Sequence, residues 1–282
     1  MPEYTVKPRT AEPQQNVWFL PREHGATAML FTPIVCAAIL AREWHWAEVA
    51  TLTAAFAALA AKDPMVILAR QRLVWKQRHP ETSAAARWFV GWMVVLILSG
   101  LVLLTAWPIR ACLLMGFGVA VFSTLAIVVN VKNRQRSTLF QISSAVALTS
   151  SSLATSLSAA GAIRPWCWWL WLLLDLQATA GILAVHARLD ARIASRGTVH
   201  PSKQFQRAAI VSLAILTVAA VTAVVIGDHW IALALMLAVC GYGYDLLQQR
   251  SPAALQLPLK KVGQRALALS SLFACLLIIG LW

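Results

Sequence analysis

His186 and Asp190 stand four residues apart in "AVHARLDARIASR". On a helix that spacing stacks an imidazole and a carboxylate on one face, a pair suited to orienting a substrate or exchanging protons. Arg188 and Arg192 in the same stretch are guanidiniums able to hold an anion through charge-assisted hydrogen bonds. A second set lies in "AKDPMVILARQR", where Asp63 and Arg70 are seven apart and share a face beside Lys62 and Arg72. A third precedes the first apolar run in "FLPREHGATAM": Arg22, Glu23 and His24, with Pro21 suited to a first helical turn and free helix N–H groups able to help hold an anion. A fourth is "GYGYDLLQQR", with Tyr242, Tyr244 and Asp245.

Taken together, these residues outline a mixed-charge pocket. Asp63, His186 and Asp190 would be its catalytic groups, and Arg22, His24, Arg70, Arg188 and Arg192 its substrate-binding groups. A second reading explains the same residues without a pocket: the carboxylates neutralise neighbouring arginines and the doorway charges anchor a helix at the membrane interface. Neither His24 nor His186 has the spacing of a metal or haem ligand set, so no metal site is expected.

The elements that must position these groups are membrane spans. Of the 282 residues 59% are hydrophobic and 12% charged, with mean hydropathy +0.67; a soluble domain carries about 25% charged residues. Nine apolar runs of spanning length are expected near residues 26–41, 46–69, 86–107, 111–131, 138–161, 166–187, 207–227, 229–247 and 265–282. The fold expected is an all-α polytopic bundle, a single transmembrane domain over residues 21–282 after a polar tail over residues 1–20. That tail lacks the pattern of a secretory signal. No inter-span segment is long enough to build a core of its own, so any chemistry must use helix ends, the inner loops and the space between helices.

Lys and Arg concentrate in alternate loops. All but Arg42, Arg110 and Arg164 of the 24 basic residues fall on one side. The positive-inside rule makes that side cytoplasmic, which places the N-terminus inside and, with nine spans, the C-terminus outside, in a cell membrane. The net charge of +13 is then explained by topology and anionic lipid headgroups, so nucleic acid is not an expected partner. Cys36, Cys112, Cys167, Cys240 and Cys275 are scattered singly and read as packing residues. Trp44, Trp46, Trp107, Trp166, Trp168, Trp169, Trp171 and Trp230 gather at outer span ends, as an interfacial belt would. The fifth run, "STLFQISSAVALTSSSLATSLSAAGA", is rich in small and hydroxyl residues, the composition of a tightly packed central helix or of a polar cavity wall.

"PREHGATAM" before span one, "KDP" and a basic loop after span two, "HARLDAR" after span six and "LPLKKVGQRALALS" at the last span resemble the YwiC-like family of bacterial membrane proteins. The most specific elements are Pro21, Arg22, His24 and Gly25, while Thr27 stands where that family usually has tryptophan. Nine spans with polar motifs at the inner ends of helices two and six are also similar, more distantly, to the UbiA superfamily of intramembrane prenyltransferases. That likeness implies a UbiA-like helix arrangement and carboxylates holding Mg²⁺ against a substrate diphosphate. Here Asp63 takes the first acidic place of the helix-two motif, with Val66 and Arg70 at the others; His186 and Asp190 take the helix-six places. Most of the carboxylates are replaced, so Mg²⁺ has weak support and direct anion binding by Arg is the implied substitute.

Two function classes follow. One is a UbiA-like enzyme, or a degenerate relative, binding an isoprenoid or anionic lipid at a cytoplasm-facing pocket with membrane lipids as surroundings. The other is a non-enzymatic transporter or an accessory subunit of a membrane complex. Convergence of Asp63, Arg70, His186 and Asp190 on one cavity would favour the first.

Overall fold

In hydrocarbon each backbone N–H and C=O must find its partner within its own segment, so apolar runs of this length become helices. The computed structural model describes residues 24–76, 81–132, 134, 137–195, 197, 203–249 and 251–282, with the side chains of His24, Pro252, Leu259 and Lys260 outside that description. Among the described residues there is no strand. The helices are α1 (His24–Ala41), α2 (Trp46–Arg70, running on through a π-helical turn Gln71–Trp75), α3 (Thr82–Ala106), α4 (Ile109–Val131), α5 (Thr138–Thr149), α6 (Ser151–Ala160), α7 (Pro165–Ala194), α8 (Lys203–Val225), α9 (His229–Gln248), the short α10 (Pro252–Leu255) and α11 (Leu259–Leu281).

Seven of these, α2, α3, α4, α7, α8, α9 and α11, are long and apolar enough to cross a membrane. The expected first span is the shorter apolar helix α1. The expected fifth is not one helix but two, α5 and α6, meeting at Ser150. End to end they cover residues 138–160, about 34 Å at 1.5 Å per residue.

Local signals set several ends. His45 and Glu48 form a capping box on α2: the His45 side chain accepts from the Ala47 N–H, and Glu48 Oε1 accepts from the His45 N–H at 3.2 Å. Pro165 opens α7, where its missing N–H costs nothing. Gly161 closes α6 at φ 65°, a left-handed turn that glycine adopts without strain.

Helices α1, α7, α8, α9 and α11 surround one core, centred on Leu170, Leu216, Leu235, Phe273 and Leu277. A second core joins α2, α3 and α6 through Ala47, Ala50, Leu103, Trp107 and Leu157, with α4 packed on its flank. Helices α1 and α6 pack on each other and link the two. Much of α3 and α4 remains on the outside, with Leu113, Leu114 and Phe117 each about two-thirds exposed or more, as lipid-facing surface requires.

One sequence expectation changes here. Trp107 is not part of an interfacial belt; it is 8% exposed, and its Nε1–H donates to Ser158 Oγ at 2.9 Å. Pro33 lies inside α1 and Pro64 inside α2, which continues past it to Arg70. The Ser158 hydroxyl also shares a 2.6 Å hydrogen bond with Thr51 Oγ1, so one side chain of α6 satisfies groups from α2 and the end of α3. Ser158→Ala leaves the indole N–H buried without an acceptor and should cost about 1–3 kcal/mol. Thermal unfolding in detergent micelles measures it, and Thr124→Ala at an exposed position of α4 should change little.

Arg42, Glu43, Arg164 and Trp282 meet at one end of the bundle. Arg42 Nη2 donates to the Trp282 carbonyl at 2.8 Å and its guanidinium lies 4.0 Å from the indole centroid, while Arg164 pairs with Glu43 at 3.6 Å. Two of the three basic residues that the sequence separates from the rest thus share an end.

Candidate functional site

The sequence groups one cluster on α2 and one on α7, and tertiary structure gives each its own surroundings. Helix α2 packs against α3, α4, α6 and α1; helix α7 packs against α8, α5, α9, α6, α1 and α11. Their shared neighbours, α1 and α6, stand between them. On α2, Asp63 Oδ1 lies 3.9 Å from Lys62 Nζ, and Arg70 Nη2 donates to the Asn130 carbonyl at 2.7 Å. That carbonyl belongs to the last turn of α4, whose final C=O groups lack helical partners. Arg70 therefore caps a neighbouring helix. Arg22 and Glu23 lie outside the described residues, and His24 opens α1 with its side chain outside them too.

Helix α7 divides its polar residues between two faces. One is buried and includes Leu170, Leu174, Gln177, Ala184 and Arg188. Gln177 Nε2 donates to Tyr242 Oη at 2.6 Å and to Ser270 Oγ at 2.8 Å, riveting α7 to α9 and α11. Gly181, one turn on, makes room for the Tyr242 ring: a Cβ there would sit 2.8 Å from Tyr242 Oη. Arg188, only 3% exposed, donates to the Ala254 carbonyl of α10 and lies in the field of Asp245. Arg192, a turn later, keeps to the same side of the helix and is partly exposed.

The other face is less buried. At 100° per residue Asp175, Thr179, Ile182, His186 and Asp190 fall within about 80° of arc, and each is partly exposed. His186 Nε2–H donates to Gln141 Oε1 of α5 at 2.8 Å, and the imidazole stacks on Phe205 of α8 at a 5.2 Å centroid distance. Trp171, one turn above Asp175, donates its Nε1–H to the Val146 carbonyl of α5 at 3.3 Å. The stripe therefore runs along the groove between α5 and α8. His186 and Asp190 lie in it; Arg188 and Arg192, expected beside them, are turned away from it.

Asp175 was not among the residues singled out by charge clustering. Its signal was present in "WLWLLLDLQATAG": an acid ten residues into an apolar run, about 15 Å from the start of α7 and so near the middle of a hydrocarbon core about 30 Å thick. Ionisable groups at that depth are costly and are retained for a task. Here one carboxylate oxygen, Oδ1, is buried without a hydrogen-bond partner.

The interruption of α5–α6 lies against the first turns of α7, where Cys167 and Trp171 reach the Ser152 and Val146 carbonyls, and Asp175 follows one to two turns further along α7. Thr149 Oγ1 donates to the Ala145 carbonyl at 2.9 Å, Ser150 Oγ to Ala147 at 2.7 Å and Ser152 Oγ to Thr149 at 3.0 Å, so local hydroxyls bond carbonyls around the interruption, while the Ser150 N–H keeps its helical bond to the Val146 carbonyl at 3.1 Å. Ser151 Oγ reaches across to the Leu30 carbonyl of α1 at 3.1 Å, beside Pro33, whose ring removes one helical N–H. Cys167 Sγ donates to the Ser152 carbonyl at 3.2 Å. Helices α1, α5–α6 and α7 thus form a polar seam in an otherwise apolar bundle. Among the described residues no three His, Cys, Asp or Glu side chains gather as a metal site.

Comparison with known proteins adds one finding. No curated protein matches the chain. Residues 20–157, which include α1 to α4, α5 and most of α6, match the family model described as YwiC-like protein, a shorter extent than the motif resemblance suggested. The chain is similar to the YwiC-like family across those residues, with the interrupted helix inside the matched region and Asp175 beyond it.

Proposed function

We propose that this protein transports a small polar solute or ion, with the groove between α5, α7 and α8 as the pathway and the polar seam as its centre. The observation that carries this reading is a half-buried carboxylate, Asp175, with one oxygen buried and unpartnered, deep in the apolar part of α7 and one to two turns along from the interruption of α5–α6. Broken helices and ionisable side chains at the midplane are the features by which transporters build substrate and coupling sites. The groove leads from that centre towards His186 and Asp190 at the end of α7 richest in Arg, the cytoplasmic end by the positive-inside rule.

The isoprenoid or anionic-lipid reading draws on Arg70, Arg188 and Arg192. Two of those three already donate to helix-end carbonyls, which leaves less of an anion site and gives transport the stronger support. A prenyl diphosphate retained by the purified protein would restore the enzyme-like reading.

Cysteine accessibility tests the pathway. In a background with the five native cysteines replaced by alanine, Ser150→Cys and Thr179→Cys should react with a membrane-impermeant thiol reagent in sealed vesicles. Val218→Cys, a lipid-facing position 66% exposed on α8, should not. If both seam positions react as slowly as Val218→Cys, no aqueous pathway reaches the seam and the proposal fails.

A further inference from the structure

We propose that Asp175 is a proton-binding site, loaded from the basic end of the bundle through the α7 groove past His186; this rests on the transport reading and names its coupling ion. Three observations select a proton over a metal cation. The Asp175 carboxylate stands apart from other acids, with one oxygen buried and unpartnered. A bare metal ion needs several oxygen ligands, but the carbonyls of the nearby helix break already accept hydrogens from Thr149, Ser150, Ser152 and Trp171. One proton, in contrast, is enough to neutralise a carboxylate in a low-dielectric surrounding.

The charged neighbourhood agrees. Helices α5, α6 and α10 carry no ionisable residue, and α1 offers only the buried Cys36 beyond its first turn. On α8 the cations Lys203 and Arg207 sit in the first turns, beside Phe205 and the His186 ring. On α9 Tyr242 and Asp245 face the buried side of α7, where Arg188 lies; Tyr244 and Cys240 are exposed, and His229 is at the opposite end. On α11 Lys261, Arg265 and Cys275 are exposed. No fixed cation of α7 shares the Asp175 stripe, so its negative charge is uncompensated until a proton arrives.

The step is simple to balance. A hydronium ion at the cytoplasmic end gives its proton to Nδ1 of neutral His186, whose Nε2–H is held by Gln141, and leaves water. The Nδ1–H bond then breaks as groove water takes the proton, and that hydronium gives it to a carboxylate oxygen of Asp175, again leaving water. The net change is one O–H bond broken in hydronium and one formed on Asp175, and the reverse sequence returns the proton. His186 and Asp175 are eleven residues apart on α7, about 16 Å, so groove water must bridge them. Thr179, between the two on the same stripe, offers a hydroxyl along the way.

Infrared difference spectroscopy of the full-length protein in lipid vesicles tests this. On acidification wild type should gain a carboxylic C=O band that Asp175→Asn lacks and that Asp175→Glu retains at a shifted frequency. When D₂O replaces H₂O, His186→Phe, which keeps the stacking on Phe205, should slow deuteration of that band on the order of a hundredfold, the lower end of what a positioned proton-transfer group contributes. Spectra of wild type and Asp175→Asn that superimpose overturn the proton site. An unchanged deuteration rate in His186→Phe overturns the route past the imidazole. A titrating Asp175 with unreactive seam cysteines would remove the pathway and leave the proton site; reactive cysteines with superimposable spectra would do the reverse.

Discussion

Arg188→Met should destabilise the bundle by about 1–3 kcal/mol, the cost expected when a buried polar group loses its hydrogen-bond partner. The guanidinium is 3% exposed, donates to the Ala254 carbonyl and lies in the field of Asp245. Methionine keeps the apolar stem but leaves the Ala254 carbonyl without its donor and α10 without its anchor on α7. Arg192→Met, one turn along the same helix and partly exposed, should stay within about 0.5 kcal/mol of wild type, as surface substitutions do. Thermal unfolding in detergent micelles compares the two. Equal midpoints would mean that Arg188 holds nothing together and is free to bind an anion, as the sequence suggested.

Gly181→Ala should cost about 1–3 kcal/mol, the range for overpacking in a well-packed interior. The added methyl would sit 2.8 Å from Tyr242 Oη and 3.2 Å from Cζ. Tyr242 is 4% exposed, and its hydroxyl is held by Gln177, so the ring has little freedom to withdraw. The clash is mainly with one oxygen atom, which gives a sharper test. Tyr242→Phe removes that atom, so the double variant Gly181→Ala/Tyr242→Phe should be less destabilised than the sum of the two single variants. Strict additivity would show that the close approach of α7 to α9 does not depend on this glycine.

Both variants act on the face of α7 that holds the bundle together, and neither touches the groove stripe. That separation gives the Asp175 and His186 tests their meaning, because loss of proton exchange without loss of stability belongs to the groove alone. It also explains a physical economy in α7. A helix of 30 residues has room for a structural face and a working face, and residues two apart, such as Asp175 and Gln177, point about 160° away from each other.

Sequence by itself determined the class of protein. Apolar runs of spanning length in a low-charge chain can only be membrane helices, since hydrocarbon forbids any other backbone state except a closed barrel. It determined most helix positions and the alternation of basic ends, and the motif around Pro21 to Gly25 carried the resemblance to the YwiC-like family, whose model matches residues 20–157. Clusters such as "HARLDAR" were legible as charge, but which way each charge points was not. His186 and Arg188 are two residues apart and therefore face different neighbours, one held by Gln141 and the other by Ala254. Arg70 looked like an anion ligand until the last turn of α4 was seen beneath it.

Tertiary structure alone decided three things. It interrupted the fifth run at Ser150, where Ser and Thr hydroxyls bond neighbouring carbonyls in competition with the helix, a position that composition does not locate. It buried Trp107, whose indole found an acceptor on a helix fifty residues away in the chain rather than at the interface. And it turned Asp175 towards the side of α7 on which α5 packs, a placement that no local spacing discloses. Local spacing says which residues share a face; only the packed bundle says what that face meets.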